Sequence, residues 1–253
     1  MTAKLQVRGL SKAFHDNGST LEALRDFSLQ VEQGQFVTII GPSGCGKSTL
    51  FNLIVGLDEP DAGEIWLDGS PVPRRAGLFG YMPQRDLLLP WRSVVANASL
   101  ARELHGVPPE RARAAAAELL PLFGLQEFAS AYPAALSGGM RQRVALLRTI
   151  LTDREVLLLD EPFGALDALT RRELQDWLLR AWDQFGRTML FITHDVAEAL
   201  YLGDRVIVLS PRPGQVVSDL AVDLPRPRRQ SMLADPGFGR QVARLLQALG
   251  VDS

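Results

Sequence analysis

No stretch of this chain restricts its fold more than FVTIIGPSGCGKSTLFNLIVGL, Phe36 to Leu57. A short apolar run ends in a turn carrying three glycines, Gly41, Gly44 and Gly46, and an amphipathic helical segment follows at once. Strand, tight turn and helix in that order form the opening unit of a parallel α/β sheet. Three further apolar runs, EVLLLD, TMLFITHD and RVIVLS, are continuous instead of alternating, the texture of strands covered on both faces. Between them, Leu166 to Phe185 places Leu174, Trp177, Leu178, Ala181 and Trp182 at helical spacing, a face suited to packing on such a sheet.

Elsewhere the texture changes. KLQVRGLSKAF, FSLQVEQG and GEIWLDG alternate apolar and polar residues, which predicts a small antiparallel sheet beside the parallel one. From about Arg92 to Leu151 the chain is rich in alanine and leucine and carries no strand pattern, so a helical insert is expected there. The expected organisation is one unit over 1–253. Its α/β core and antiparallel β part take 1–91 and 152–210, the helical subdomain takes 92–151, and 211–253 is a short extension, proline-punctuated at LPRPRR and too small for a separate regulatory domain. At 253 residues with 46% apolar content the chain can bury a substantial core.

Gly41 to Ser48 matches G-x-x-x-x-G-K-[ST] in the strand-before, helix-after context that gives this pattern its meaning. The stretch Gly41, Pro42, Ser43, Gly44, Cys45, Gly46, Lys47, Ser48 and Thr49 is therefore the predicted phosphate cradle. Its glycines let backbone amides turn toward phosphate oxygens, and the helix N-terminus adds partial positive charge. Lys47 is expected at the β and γ phosphates, and the Ser48 hydroxyl on Mg²⁺. Only three lysines stand against 24 arginines, so a lysine kept here is informative: a planar guanidinium does not replace a compact ammonium in a tight loop.

VLLLDEP supplies a second half. Its apolar residues place Asp160 at the end of a buried strand, where a carboxylate can hold Mg²⁺, and Glu161 beside it can polarise an attacking water. Gln84 in YMPQRD, His194 in FITHD and Asp167 in GALD are ambiguous alone: a surface glutamine, a structural histidine, a helix cap. All three fall at strand ends or in nearby loops, where open parallel sheets bind ligands. A second anion-binding pattern opens LSGGMRQRVALL, where Ser137, Gly138 and Gly139 stand at the start of an arginine-bearing helix. Cys45, the single cysteine, has two readings. It is either a small inert residue or a reactive thiol, since a helix N-terminus and Lys47 both favour thiolate.

The net charge of −2 and pI near 6.0 show no basic excess, so no nucleic-acid partner is expected. No apolar run approaches a membrane span, MTAKLQVRGL lacks a secretion signal, and one cysteine fits a reducing compartment. A cytosolic chain is expected.

GPSGCGKST, YMPQ, LSGGMRQR, LLLDEPFGALD and FITHD, in this order and at these separations, resemble the ATP-binding subunit of an ABC transporter, and the resemblance spans nearly the whole chain. It implies a P-loop NTPase with a RecA-like core, binding ATP and Mg²⁺. It implies Gln84 as the Q-loop residue near Mg²⁺ and the membrane subunits, Asp167 in the D-loop, and His194 as the switch histidine at the γ phosphate. Phe14 takes the place of the aromatic that stacks on adenine, where tyrosine is the commoner residue. The two anion patterns then serve two ATP molecules, because two subunits meet head to tail and the Ser137–Gly138–Gly139 signature of one covers the nucleotide of the other. MPQRDLLLPWRSVVANA and RPGQVVSDLAVDLPRPR are similar to subunits of the nitrate, sulfonate and taurine uptake group. That implies membrane permease partners, an extracytoplasmic solute-binding protein, and a peripheral place on the cytoplasmic face of a bacterial cell membrane. Apolar Leu87, Leu88, Leu89 and Trp91 are expected near the surface that receives the permease. Two competing functions are a soluble ABC ATPase acting on DNA or the ribosome, which usually carries a long coiled-coil insertion or tandem cassettes, and a P-loop kinase, which leaves the signature and FITHD unexplained.

Overall fold

The computed structural model describes residues 3–16 and 19–250. Its strands are β1 (Ala3–Asp16), β2 (Ser19–Glu32), β3 (Phe36–Ile40), β4 (Ala62–Leu67), β5 (Ser70–Pro71), β6 (Gly80–Met82), β7 (Val156–Asp160), β8 (Thr188–Ile192), β9 (Arg205–Leu209) and β10 (Val216–Ala221). Its α-helices are α1 (Lys47–Val55), α2 (Val94–Leu104), α3 (Pro109–Leu119), α4 (Gly138–Ile150), α5 (Ala168–Phe185), α6 (Val196–Leu202) and α7 (Pro236–Ala248).

The main sheet runs β10-β9-β3-β8-β7-β6, parallel throughout except for the antiparallel edge strand β10. The apolar runs behave as their texture predicts, since β3, β7 and β8 are buried at every residue. In β7 the pleat divides them: Val156 and Leu158 enter the core on one face, Leu157 and Leu159 the core on the other. The alternating segments form the separate antiparallel sheet β2-β1-β4-β5, and α1 fills the space between the two sheets through Leu50, Phe51, Leu53 and Ile54.

The span 92–151 holds α2, α3 and α4 and no strand. Its apolar residues do not close on themselves. Val144, Leu147 and Phe123 share one cluster with Phe36, Leu159 and Phe191 of the sheet and with Leu178 of α5. After β9 the chain adds β10 to the sheet, and α7 seats Phe238 and Leu245 against Leu200, Val206 and Val208. The C-terminal extension thus packs on the sheet through an apolar cluster of its own.

Candidate functional site

Because β6, β7, β8, β3 and β9 run in one direction, the loops that follow them meet along one edge of the sheet. Gln84 follows β6, Asp160 and Glu161 follow from β7, His194 follows β8, the glycine loop follows β3, and residues 210–215 follow β9.

In the glycine loop, Gly44 (φ 74°) and Gly46 (φ 107°) lie in the left-handed region, where a side chain is strained. Gly46 is restricted twice, since a Cβ there would stand 2.6 Å from the carbonyl oxygen of Ala23. Gly46 is also the N-cap of α1 and places no side chain over the helix's first amides, leaving that terminus open to an anion. The Lys47 ammonium donates to the carbonyls of Gly41 (2.8 Å) and Pro42 (3.0 Å). Ser43, Gly44, Gly46, Lys47, Ser48 and Thr49 border a cleft of about 280 Å³. Phe14 stands on its wall, half exposed, with the Lys12 ammonium 5.6 Å from the ring centroid.

Cys45 settles its two readings. Only 1% exposed, it packs in the core between the sheets, so the reactive, accessible thiol is not what the fold makes. The Lys47 ammonium lies 3.8 Å from its sulfur, but the core between the sheets encloses the thiol and keeps reagents from it.

Asp160 is 2% exposed. Burial raises its pKa above the usual carboxylate value and the neighbouring Glu161 charge adds to this, while a hydrogen bond from the Ser48 hydroxyl and the Lys47 charge oppose it. The Ser48–Asp160 contact joins the glycine loop to the strand-end carboxylate. Glu161 has φ 48°, a conformation that costs a non-glycine residue and is held by its neighbours: its N–H donates to the Ile192 carbonyl at 3.0 Å. One Glu161 oxygen, Oε2, then receives the Gln84 amide at 3.3 Å and lies 3.5 Å from His194 Nδ1. Two residues 110 positions apart, Gln84 and His194, thus converge on one Glu161 atom at the cleft.

Ser137 caps α4, accepting from the Met140 amide at 3.2 Å, and Gly138 and Gly139 are the first helical residues. A Cβ on Gly139 would lie 3.1 Å from Leu166. These three do not border the glycine-loop cleft; Gly138 borders a second one with Gln84, Asp86, Arg141 and Gln142. Asp167 caps α5 through bonds from the Leu169 and Thr170 amides, so its capping reading is realised. Of the apolar residues near Gln84, Leu87 and Trp91 are exposed, Trp91 at 71%, whereas Leu88 packs on the core.

Several partners escaped sequence reasoning. Arg141 pairs with Asp86 at 3.0 Å and Arg148 donates to the Leu87 and Asp86 carbonyls, so α4 grips the loop after Gln84. Leu21, Ala23 and Arg212 border the cleft; Arg212 follows an apolar strand, as Gln84 and His194 do, and the same strand-end rule would have found it. Glu198, buried in α6, accepts from Gln175 at 2.7 Å and from the Thr193 hydroxyl. Thr193 in turn accepts from the Asp195 amide at 3.0 Å, so both neighbours of His194 are tied to Glu198 and through it to α5.

The chain has counterparts among known proteins. A family model described as ABC transporter matches residues 24–164. The chain is 42% identical over 247 residues, 98% of its length and 92% of the relative's, to an uncharacterized ABC transporter ATP-binding protein of Methanocaldococcus jannaschii. It is 47% identical to the taurine import ATP-binding protein TauB of Rhizobium johnstonii, over 83% of this chain and 80% of that one. It is 42% identical to the aliphatic sulfonates import ATP-binding protein SsuB of Bacillus cereus, over 90% and 89%. Among solved structures, the dimeric post-hydrolysis state of the ATP-binding cassette MJ0796 bound to ADP and Pi superposes with TM-score 0.80 at 29% identity, covering 87% of this chain and 99% of that one. On the family match and these relatives, the chain belongs to the ABC transporter family as an ATP-binding subunit, an α/β P-loop ATPase.

Proposed function

We propose that this chain is the energy-coupling ATPase of an importer for a small solute of the taurine, sulfonate or nitrate type. It works as a head-to-tail pair, with membrane permease subunits at the cytoplasmic face of the membrane and a solute-binding protein on the far side. The observation that carries the hydrolytic part is the convergence of Gln84 and His194 on Glu161 Oε2 beside the glycine loop. The importer part is supported by the taurine and sulfonate import relatives. No observation favours the DNA or ribosome reading. Among the described residues no helix is long and apolar enough to cross a membrane, in keeping with a separate permease.

Lys47 and the open N-terminus of α1 bind the phosphate chain, and Phe14 receives the adenine. Glu161 orients and polarises the attacking water, with its own carboxylate aimed by Gln84 and His194. Signature residues Ser137, Gly138 and Gly139 complete the γ-phosphate cradle of the partner's site, and Asp167 stands at the subunit interface. The residues fit Mg²⁺. Among the described residues no three His, Cys, Asp or Glu side chains cluster as a metal cage; the Asp160 carboxylate, the Ser48 hydroxyl and the Gln84 carbonyl are instead the few hard oxygens that Mg²⁺ takes together with phosphates and water. When bound, the ion neutralises charge on the β and γ phosphates.

Glu161→Gln tests the reading. It is expected to retain ATP binding while lowering turnover by a factor on the order of 100 or more. Wild-type turnover in the assembled transporter would remove Glu161 from this role. Co-purification of a permease with the tagged chain, and loss of taurine or sulfonate uptake in its absence, tests the importer.

A further inference from the structure

We propose that Arg212 is a nucleotide-binding residue, carried to the phosphate loop by the segment after β9, where its guanidinium takes the phosphate chain of a nucleoside di- or triphosphate. The proposal rests on the nucleotide reading of the cleft. It concerns a residue outside 24–164, the part that the family model matches.

The segment is held as a strap across the loop. The Ser210 amide donates to the Gln215 carbonyl at 2.9 Å, and the Ser210 hydroxyl accepts from the Gln215 amide at 3.0 Å. The Gly214 amide donates to the Ala23 carbonyl at 2.9 Å, and the Arg25 amide to the Gly214 carbonyl at 3.3 Å. A Cβ on Gly214 would stand 2.2 Å from the Cys45 carbonyl oxygen, so strap backbone rests directly on loop backbone. Arg212 projects from this support. Its Nε and Nη2 both donate to the Gly44 carbonyl, at 3.0 and 2.9 Å, which fixes the plane of the guanidinium. Nη1 makes no hydrogen bond to the described residues.

Lys47 and Arg212 are the two cations bordering the cleft, and both are anchored in the same way, on loop carbonyls, which carry no formal charge. The one carboxylate on the cleft wall, Glu161, is engaged by Gln84 and His194. A planar donor with a spare edge at the mouth of a phosphate loop recognises phosphate oxygens. The proposal places the contact on a phosphate common to ADP and ATP, so both are expected to lose affinity when it is removed.

The experiment measures binding of N-methylanthraniloyl-ADP to the full chain carrying Arg212→Gln or Arg212→Lys. Both replacements keep an N–H for the Gly44 carbonyl, and only lysine keeps the charge. Arg212 is exposed, so Arg212→Gln, which loses both charge and fork, is expected to weaken ADP by about five- to tenfold, and Arg212→Lys, which keeps the charge and loses only the planar fork, by about two- to threefold. Equal affinities in all three chains would overturn the proposal. So would equal weakening in both variants, which is the signature of a clamp on the loop. The wild-type chain gives a second readout free of folding effects: ADP is expected to protect Arg212 from phenylglyoxal, followed on its own peptide by mass spectrometry, and absence of protection would overturn the proposal. Lys47→Ala separates the two levels of inference. It is expected to abolish binding and with it the protection of Arg212; a wild-type chain that bound no ADP would overturn the cleft itself.

Discussion

The tie between Glu198 and the His194 loop gives a prediction whose size follows from the structure. Glu198→Ala removes the acceptor of both the buried Gln175 amide and the buried Thr193 hydroxyl. Each donor left without a partner costs about 1–3 kcal/mol, and the one lost methylene adds about 0.8 kcal/mol. Release of a carboxylate that burial disfavours offsets part of this. Burial raises the Glu198 pKa above the ordinary carboxylate value despite hydrogen bonds from Thr193 and Gln175 that lower it. The net loss is about 2–4 kcal/mol, or a melting temperature lower by roughly 5–15 °C at this size. Since the same network holds the residues either side of His194, kcat is expected to fall by about tenfold with KM for ATP changed by less than about threefold. Glu198→Gln keeps one acceptor and should recover most of the stability. The sign of its pH dependence is set: a folded carboxyl with a raised pKa contributes stability below 4.5 that is lost as pH rises through the folded value. Wild type should therefore lead Glu198→Gln most at low pH and lose that lead on going up. Circular dichroism melts and steady-state ATPase kinetics measure both. A Glu198→Ala chain that melts within about 2 °C of wild type with unchanged kcat would refute the reasoning.

Three further outcomes are expected. A mixed dimer of one Lys47→Ala and one Ser137→Arg subunit keeps one composite site free of both defects, so where sites fire singly its ATPase activity should exceed that of a dimer with both substitutions in one subunit; equal activities would count against a signature acting across the interface. Cys45 should resist maleimide in the folded chain with or without ATP and react only after denaturation, as a thiol titration followed by mass spectrometry reports. The Glu103 carboxylate, paired with Arg92 at 2.6 Å and accepting from Ser99 at 2.7 Å, is pushed up by burial but pulled further down by those partners, ending below 4.5. Its contribution is present above that pH and lost as pH falls through the folded value, so Glu103→Gln should cost about 1–2 kcal/mol near neutrality and progressively less under acid in urea melts.

What could be read from the sequence was whatever consecutive residues encode. GPSGCGKS carries its own turn, helix start and lysine, and VLLLDEP its own buried strand and terminal carboxylate, so Lys47, Ser48 and Asp160 were legible from local spacing. Continuous apolar runs likewise declared a sheet covered on both faces, and alternating ones a second sheet. Strand order was not legible, because it follows from how β3 inserts between β8 and β9, a choice made by packing both faces at once. On that order depend the meeting of Gln84 and His194 at Glu161 and the arrival of Arg212 at Gly44. Cys45 makes the same point from the other side. Its neighbours in the chain argued for a reactive thiol, but β1 and β2, folded over α1 from far upstream of the loop, withdraw the sulfur from water, and burial is a property of the assembled layers that no local pattern contains.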